Sequence, residues 1–134
     1  MKTWLLAIGL WLSACAHTPN GGSLKEGIEW VEDDYPAALA RAKAEGKPIF
    51  VDVWATWCHS CLSMQRYVFA DAGMRGAKDA AVFASIEQER PVNRDFVSRF
   101  RVEALPTFLL VDPKDESIIG RWLGSGTEIG RAHV

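Results

Sequence analysis

Pro48 to Trp54, PIFVDVW, is an apolar run rich in β-formers that starts at a proline and carries a single charge, Asp52. A run of this kind, without polar alternation, reads as a strand buried on both faces. Such a strand lies inside a sheet whose two faces each need a covering layer. The flanking sequence supplies helices for both. Upstream, Asp33-Asp34-Tyr35-Pro36 opens one: either aspartate suits the N-cap, both suit the positive end of the helix dipole, and Pro36 fits the first turn. The strong helix formers of AALARAKAEGK then run to a stop at Gly46. Downstream, Cys58 to about Phe69 favours a helix, with Leu62, Tyr67 or Val68, and Phe69 as its apolar side, and Gly73 and Gly76 end or break it.

The remainder continues the alternation. Ala81 to Glu87 (AVFASIE) is a strand, and Asn93 to Phe100 is a short helix with Asn93 as cap and Phe96, Val97 and Phe100 on one face. Thr107 to Val111 (TFLLV) is a strand, Asp112 to Asp115 a turn, and Ser117 to Trp122 the returning arm of a hairpin. A first short strand lies near Ile28 to Val31. This order predicts an α/β fold with parallel pairing through crossovers and an antiparallel edge from the final hairpin. At 134 residues the chain has room for one domain, and 49% hydrophobic residues can form a core without a disulfide framework. A net charge of -2 gives no electrostatic ground for binding nucleic acid.

The N-terminus is of another kind. Lys2 is followed by the apolar TWLLAIGLWL and then by Ser13-Ala14-Cys15. A basic start, a short apolar run and small residues describe an export signal, and the run falls short of the roughly 20 apolar residues that span a bilayer. A buried N-terminal helix is the alternative, but nothing polar alternates with the apolar residues. LSAC, Leu12 to Cys15, resembles the lipobox of bacterial lipoproteins. The resemblance implies cleavage before Cys15 and a diacylglycerol on its thiol, and multiple acyl chains anchor stably. Ordinary cleavage near Ala14 or Ala16, leaving a free thiol, is the other outcome. The expected organisation is a signal peptide over 1–14, a lipid-anchored tether over 15–27 rich in Gly, Pro, Ser and Asn, a folded domain over 28–124 and an irregular tail over 125–134.

The other two cysteines, Cys58 and Cys61, directly follow the central strand. Export favours their oxidation to a disulfide. Three roles are open to them. A structural zinc site needs about four ligands, and the chain adds only His59 and the distant His17 and His133, so no metal or other cofactor is expected. A purely structural bridge over so small a loop gains little from the unfolded chain. Redox exchange fits the setting better. A helix N-terminus stabilises a thiolate and can lower a thiol pKa to about 3.5–7.5. The thiolate is the attacking species, and Cys61, one turn behind on the same face, could resolve the mixed disulfide.

FVDVWATWCHSC resembles the active-site segment of the thioredoxin superfamily, and ALARAKAEGKPIFVDVWATWC most resembles envelope thioredoxin-like proteins, including the carboxy-terminal domain of bacterial thiol:disulfide interchange reductases. EALPTFLLVD, Glu103 to Asp112, resembles the superfamily's second mark, a cis-proline before a strand. The likeness runs over about Ile28 to Gly124. It implies a thioredoxin-like fold, a central mixed sheet flanked by helices, and thiol:disulfide oxidoreductase activity in the periplasm. Its partners would be disulfide- or thiol-bearing proteins and a redox partner protein, with the membrane reached through Cys15.

The same resemblance implies that Cys58 is the nucleophile, Cys61 the resolving thiol, and the two a disulfide when oxidised. Asp52 would move the Cys61 proton; a carboxyl buried among valines resists ionisation and can exchange a proton near neutrality. Trp57 would shield the pair. Pro106, lacking an N–H, would leave the Leu105 backbone free for an extended substrate, with Leu105 and Thr107 as substrate contacts. His59 and Ser60 would tune the potential; the plainer role for His59 is that of an exposed histidine with little effect.

The sequence departs from the superfamily in three places. His59-Ser60 replaces thioredoxin's Gly-Pro, no lysine answers to its buried partner of the aspartate, and LGSGTEIGRAHV after Trp122 cannot make a good amphipathic helix. The closing helix is therefore expected to be missing or truncated. The rival to an enzyme is a non-catalytic thioredoxin-like lipoprotein that holds clients or a metal.

Overall fold

The computed structural model describes residues 27–124. The elements are β1 (Trp30–Glu32), α1 (Tyr35–Glu45), β2 (Ile49–Trp54), α2 (His59–Ser63) running into a π-helical segment (Met64–Val68), α3 (Ala72–Gly76), β3 (Val82–Glu87), a 3-10 turn (Pro91–Asn93), α4 (Arg94–Arg99), β4 (Thr107–Val111) and β5 (Ile118–Leu123). The five strands form one sheet in the order β1-β3-β2-β4-β5. β2 pairs in parallel with β3, placing Asp52 beside Ser85, and antiparallel with β4, placing Asp52 beside Phe108. The apolar run is thus the central strand, and Ile49 to Val53 are all buried. The fold is thioredoxin-like: a five-stranded mixed sheet flanked by helices.

Each boundary has a local cause. Asp34 caps α1 by accepting the Ala37 N–H at 3.0 Å, and Pro36 fills the first turn. Gly46 closes the helix at φ 65°, a left-handed conformation that glycine adopts without a Cβ clash. On one sheet face, Ile49, Val51 and Val53 pack with Val82, Ala84, Ile86, Leu109 and Val111 beneath α1 and α4. Ala38 and Ala42 of α1 are fully buried there, and their small side chains let the helix lie close to the sheet. Each aliphatic side chain sealed in this layer contributes about 1.5–3 kcal/mol. The other face is aromatic: Trp30, Phe50, Phe69, Phe83 and Phe108 pack together with Met64.

Two expectations are corrected. The helix after the cysteines is not regular to Phe69. It changes to a π-helix, in which the Phe69 N–H donates to Met64 O at 3.0 Å. Of the expected apolar side, Phe69 is buried and Val68 packs inward beside the buried Met64, whereas Leu62 and Tyr67 are exposed, at 39% and 69%. The cause is long-range, for Phe69 sits 5.2 Å from the Trp30 ring and 5.7 Å from Phe108, centroid to centroid. Asn93 occupies the position before α4 but does not cap it with its side chain. Its Nδ2 donates instead to Asp33 Oδ1 at 2.7 Å and to Glu87 O at 2.9 Å, tying the end of β3 to the start of α1.

The signal peptide, Cys15, the tether up to residue 26 and the tail over 125–134 lie outside the described residues. Among the described residues no helix is long and apolar enough to cross a membrane.

Candidate active site

β2 ends at Trp54, and the chain turns so that the Cys58 N–H donates to Ala55 O at 3.0 Å. Cys58 is the N-cap of α2, and its Sγ accepts the Cys61 N–H at 3.2 Å. That N–H is one of the donors a helix start leaves without a backbone partner. The same bond would strengthen to a thiolate, because a charged acceptor binds a donor more tightly. The two cysteines form a disulfide with S–S 2.01 Å and Cα–Cα 5.3 Å. Both cysteines are buried, though not equally: Cys58 keeps 5% of its surface exposed and Cys61 none.

The second motif meets the first in space. The Leu105–Pro106 peptide is cis, Pro106 is buried, and Leu105 packs with Trp54 against Ala55, Cys58 and Cys61. Thr107, fully buried, pairs with Val53 of β2, and its Oγ1 donates to Ala104 O at 2.6 Å. Among the described residues the Leu105 backbone takes no hydrogen bond, while Pro106 O accepts the Gly124 N–H at 2.9 Å.

Ser60 Oγ lies 3.5 Å from Cys58 Sγ; a disulfide sulfur carries no hydrogen, so in this oxidised state the hydroxyl is the donor. His59 is exposed. Trp57 is 58% exposed, and its Nε1 donates to Glu89 Oε1 at 2.8 Å. Trp54, half-buried, donates to Ser85 Oγ at 3.0 Å. Asp52 is fully buried on the face that α2 covers, and its Oδ2 accepts from Gln65 Nε2 at 2.9 Å.

Neither Gln65 nor Glu89 was a candidate from sequence. Gln65 carries one readable signal, its place four residues after Cys61. Glu89 carries none, because its partner lies 32 positions away. Among the described residues no group of three or more His, Cys, Asp or Glu could hold a metal ion.

The chain is similar to known proteins over this arrangement. The sequence pattern of the thioredoxin-like family matches residues 29–113, well over half of the chain. The thiol:disulfide interchange protein DsbD of Pseudoalteromonas atlantica is 33% identical over 90 residues, covering 66% of this chain but only 15% of that protein. Among solved structures, a thioredoxin from Thermus thermophilus superimposes with TM-score 0.66 at 31% identity, over 75% of this chain and 78% of that one. The carboxy-terminal domain of Neisseria meningitidis DsbD in the oxidised form gives TM-score 0.59 over 69% of this chain and 81% of that one; at 24% identity it speaks to the fold alone.

Proposed function

Because the chain belongs to the thioredoxin-like family, we propose that it is a thiol:disulfide oxidoreductase of the bacterial cell envelope, acting through the Cys58–Cys61 pair. The observation that carries the reading is the asymmetry of the pair. Cys58 caps the helix start and keeps 5% of its surface exposed, Cys61 keeps none, and Leu105 packs against the cluster that the two form with Ala55. A bridge needed only for stability has no use for this graded access.

The geometry supports the following cycle. The Cys58 thiolate attacks one sulfur of a substrate disulfide; the Cys58–substrate bond forms, and the other substrate sulfur leaves as a thiolate. An extended substrate segment can pair with the Leu105 backbone beside the sulfurs. Cys61 then loses its proton towards Asp52 and attacks Cys58. The disulfide seen here re-forms as the substrate's second sulfur leaves. Two electrons have passed to the substrate, and a redox partner protein supplies two more to reduce the Cys58–Cys61 disulfide again. Reduction is the favoured direction, by likeness to proteins named for thiol:disulfide interchange, although the chain spans only about 15% of their length. Acylation at Cys15 would hold the domain at a membrane on the periplasmic side, and an unmodified Cys15 in the mature protein's mass spectrum would remove that part.

Insulin reduction tests the chemistry. Wild type supplied with a dithiol should reduce insulin, and Cys58→Ser should lose at least about 10³ of the rate. If wild type is as inactive as the variant with every reductant, the domain is a binding module rather than an enzyme. A reduction potential near −270 mV supports a reductase, whereas one near about −120 mV reverses the direction.

A further inference from the structure

The buried carboxyl of the site is held by a neutral group that comes from the cysteine-bearing helix itself. Gln65 stands in the π-helical segment, between the buried Met64 and the exposed Arg66, and is half-buried. Its Nε2 donates to Asp52 Oδ2 at 2.9 Å. Cys61 and Gln65 are four residues apart, so they share one side of the helix, the side that faces the sheet. One helical turn thus separates the resolving thiol from the amide that holds the carboxyl. The π-turn keeps this arrangement while burying the residues around it: Met64 and Phe69 both enter the aromatic core, and Gln65 stays over Asp52.

We propose that Gln65 is a positioning residue for the resolving half of the exchange, orienting the Asp52 carboxyl towards Cys61. This deepens the oxidoreductase reading above and rests on it. The step is a proton transfer followed by displacement. The Cys61 thiol gives its proton to Asp52, the Cys61 thiolate attacks Cys58 Sγ, and the Cys58–Cys61 bond forms as the bond from Cys58 to the substrate sulfur breaks. The departing thiolate takes a proton from solvent. The partner's lack of charge matters here. A cation at position 65 would hold Asp52 ionised and weaken it as a base, and a second carboxylate would compete for the same proton. A neutral donor orients the carboxyl and favours its charged form only modestly.

The pH response of Asp52 also depends on the titratable and charged groups around it among the described residues. On its own sheet face these are Cys58 and Cys61 of α2, the buried Glu87 at the end of β3, whose Oε1 accepts the Glu89 N–H at 3.2 Å, and Glu32 at the end of β1. On the helix, His59 and Arg66 are exposed. β4 presents Phe108 and Leu110 to that face and no charge.

The test uses the full chain carrying a thionitrobenzoate adduct on Cys58, whose release by Cys61 is followed by absorbance as a function of pH. Gln65→Met keeps the side-chain length without the donor. It should slow release at neutral pH about five- to tenfold and move the pH midpoint up by about one unit, the preference of one neutral hydrogen bond for a carboxylate. Gln65→Glu, differing little in shape, should move the midpoint further up, because two adjacent carboxyls then share a proton. In an Asp52→Asn background Gln65→Met should change nothing further. Folded Gln65→Met and Gln65→Glu proteins with the wild-type midpoint would overturn the assignment, even if their melting temperatures fall. A wild-type adduct that never releases thionitrobenzoate at any pH would instead overturn the oxidoreductase reading itself.

Discussion

β2 shows a different chemistry to each side of the sheet. Its odd-numbered residues, Ile49, Val51 and Val53, enter a layer closed by α1 and α4 in which the buried residues are aliphatic, alanine or aromatic. Its even-numbered residues begin the same way with Phe50 in the aromatic layer, then become Asp52, beside Ser85 and under Gln65, and then Trp54 against the cysteines. The first face is uniform along its length. The second changes within three residues from packing to chemistry. The lesson is that a two-sided strand lets stability and reactivity share one backbone: the apolar face fixes the strand, and the fixed strand aims the polar face. The cost of burying a carboxyl is met by packing on the opposite side.

The contrast can be broken outright by moving a charge across the sheet. Val51→Asp puts a carboxyl into the uniform face, one residue from where the native carboxyl sits. It should cost more than about 4 kcal/mol, comparable to the whole stability of a small domain, and abolish the cooperative thermal transition. A transition within a few degrees of wild type would show that the two faces are not distinct.

A smaller effect of opposite sign is expected on the other face. Asp52→Asn removes the buried acid while keeping its shape. It should stabilise the domain by about 1–2 kcal/mol in thermal unfolding at neutral pH and slow disulfide exchange about a hundredfold. A variant that loses stability as well as rate would mean that Asp52 is held for structure.

The smallest effect is confined to alkaline pH and to the apolar face. Burial, and then the nearby Glu116 carboxylate, push the Tyr35 hydroxyl above its ordinary value. The folded state therefore keeps a proton that the unfolded chain gives up, so the contribution is whole below the unfolded value near 10 and declines as pH rises beyond it. Urea unfolding above pH 10 should show wild type losing stability with pH more steeply than Tyr35→Phe. Parallel slopes would remove the assignment.

Much of this was legible in the sequence because its causes are local. The PIFVDVW strand, the Asp34 and Gly46 ends of α1, the final hairpin and the Cys58–Cys61 placement each follow from neighbours in the chain. What escaped has distant causes. Phe69 is drawn inward by Trp30 and Phe108, and the π-turn follows from that. Asn93 leaves its capping role for Asp33, 60 positions away. Gln65 looks like any polar helix residue until Asp52 is beneath it.

The sequence by itself determined the alternation of strands and helices, the two-sided burial of β2 and the pairing of a dithiol with a helix start, because periodicity, capping and turn chemistry act over a few residues. Only the tertiary structure decided how deeply the two cysteines are buried, that Leu105 packs against their cluster, and which amide holds Asp52. Those are contacts between segments far apart in the chain. Their geometry is set by how the sheet, the helices and the aromatic layer pack together, and no local preference encodes it.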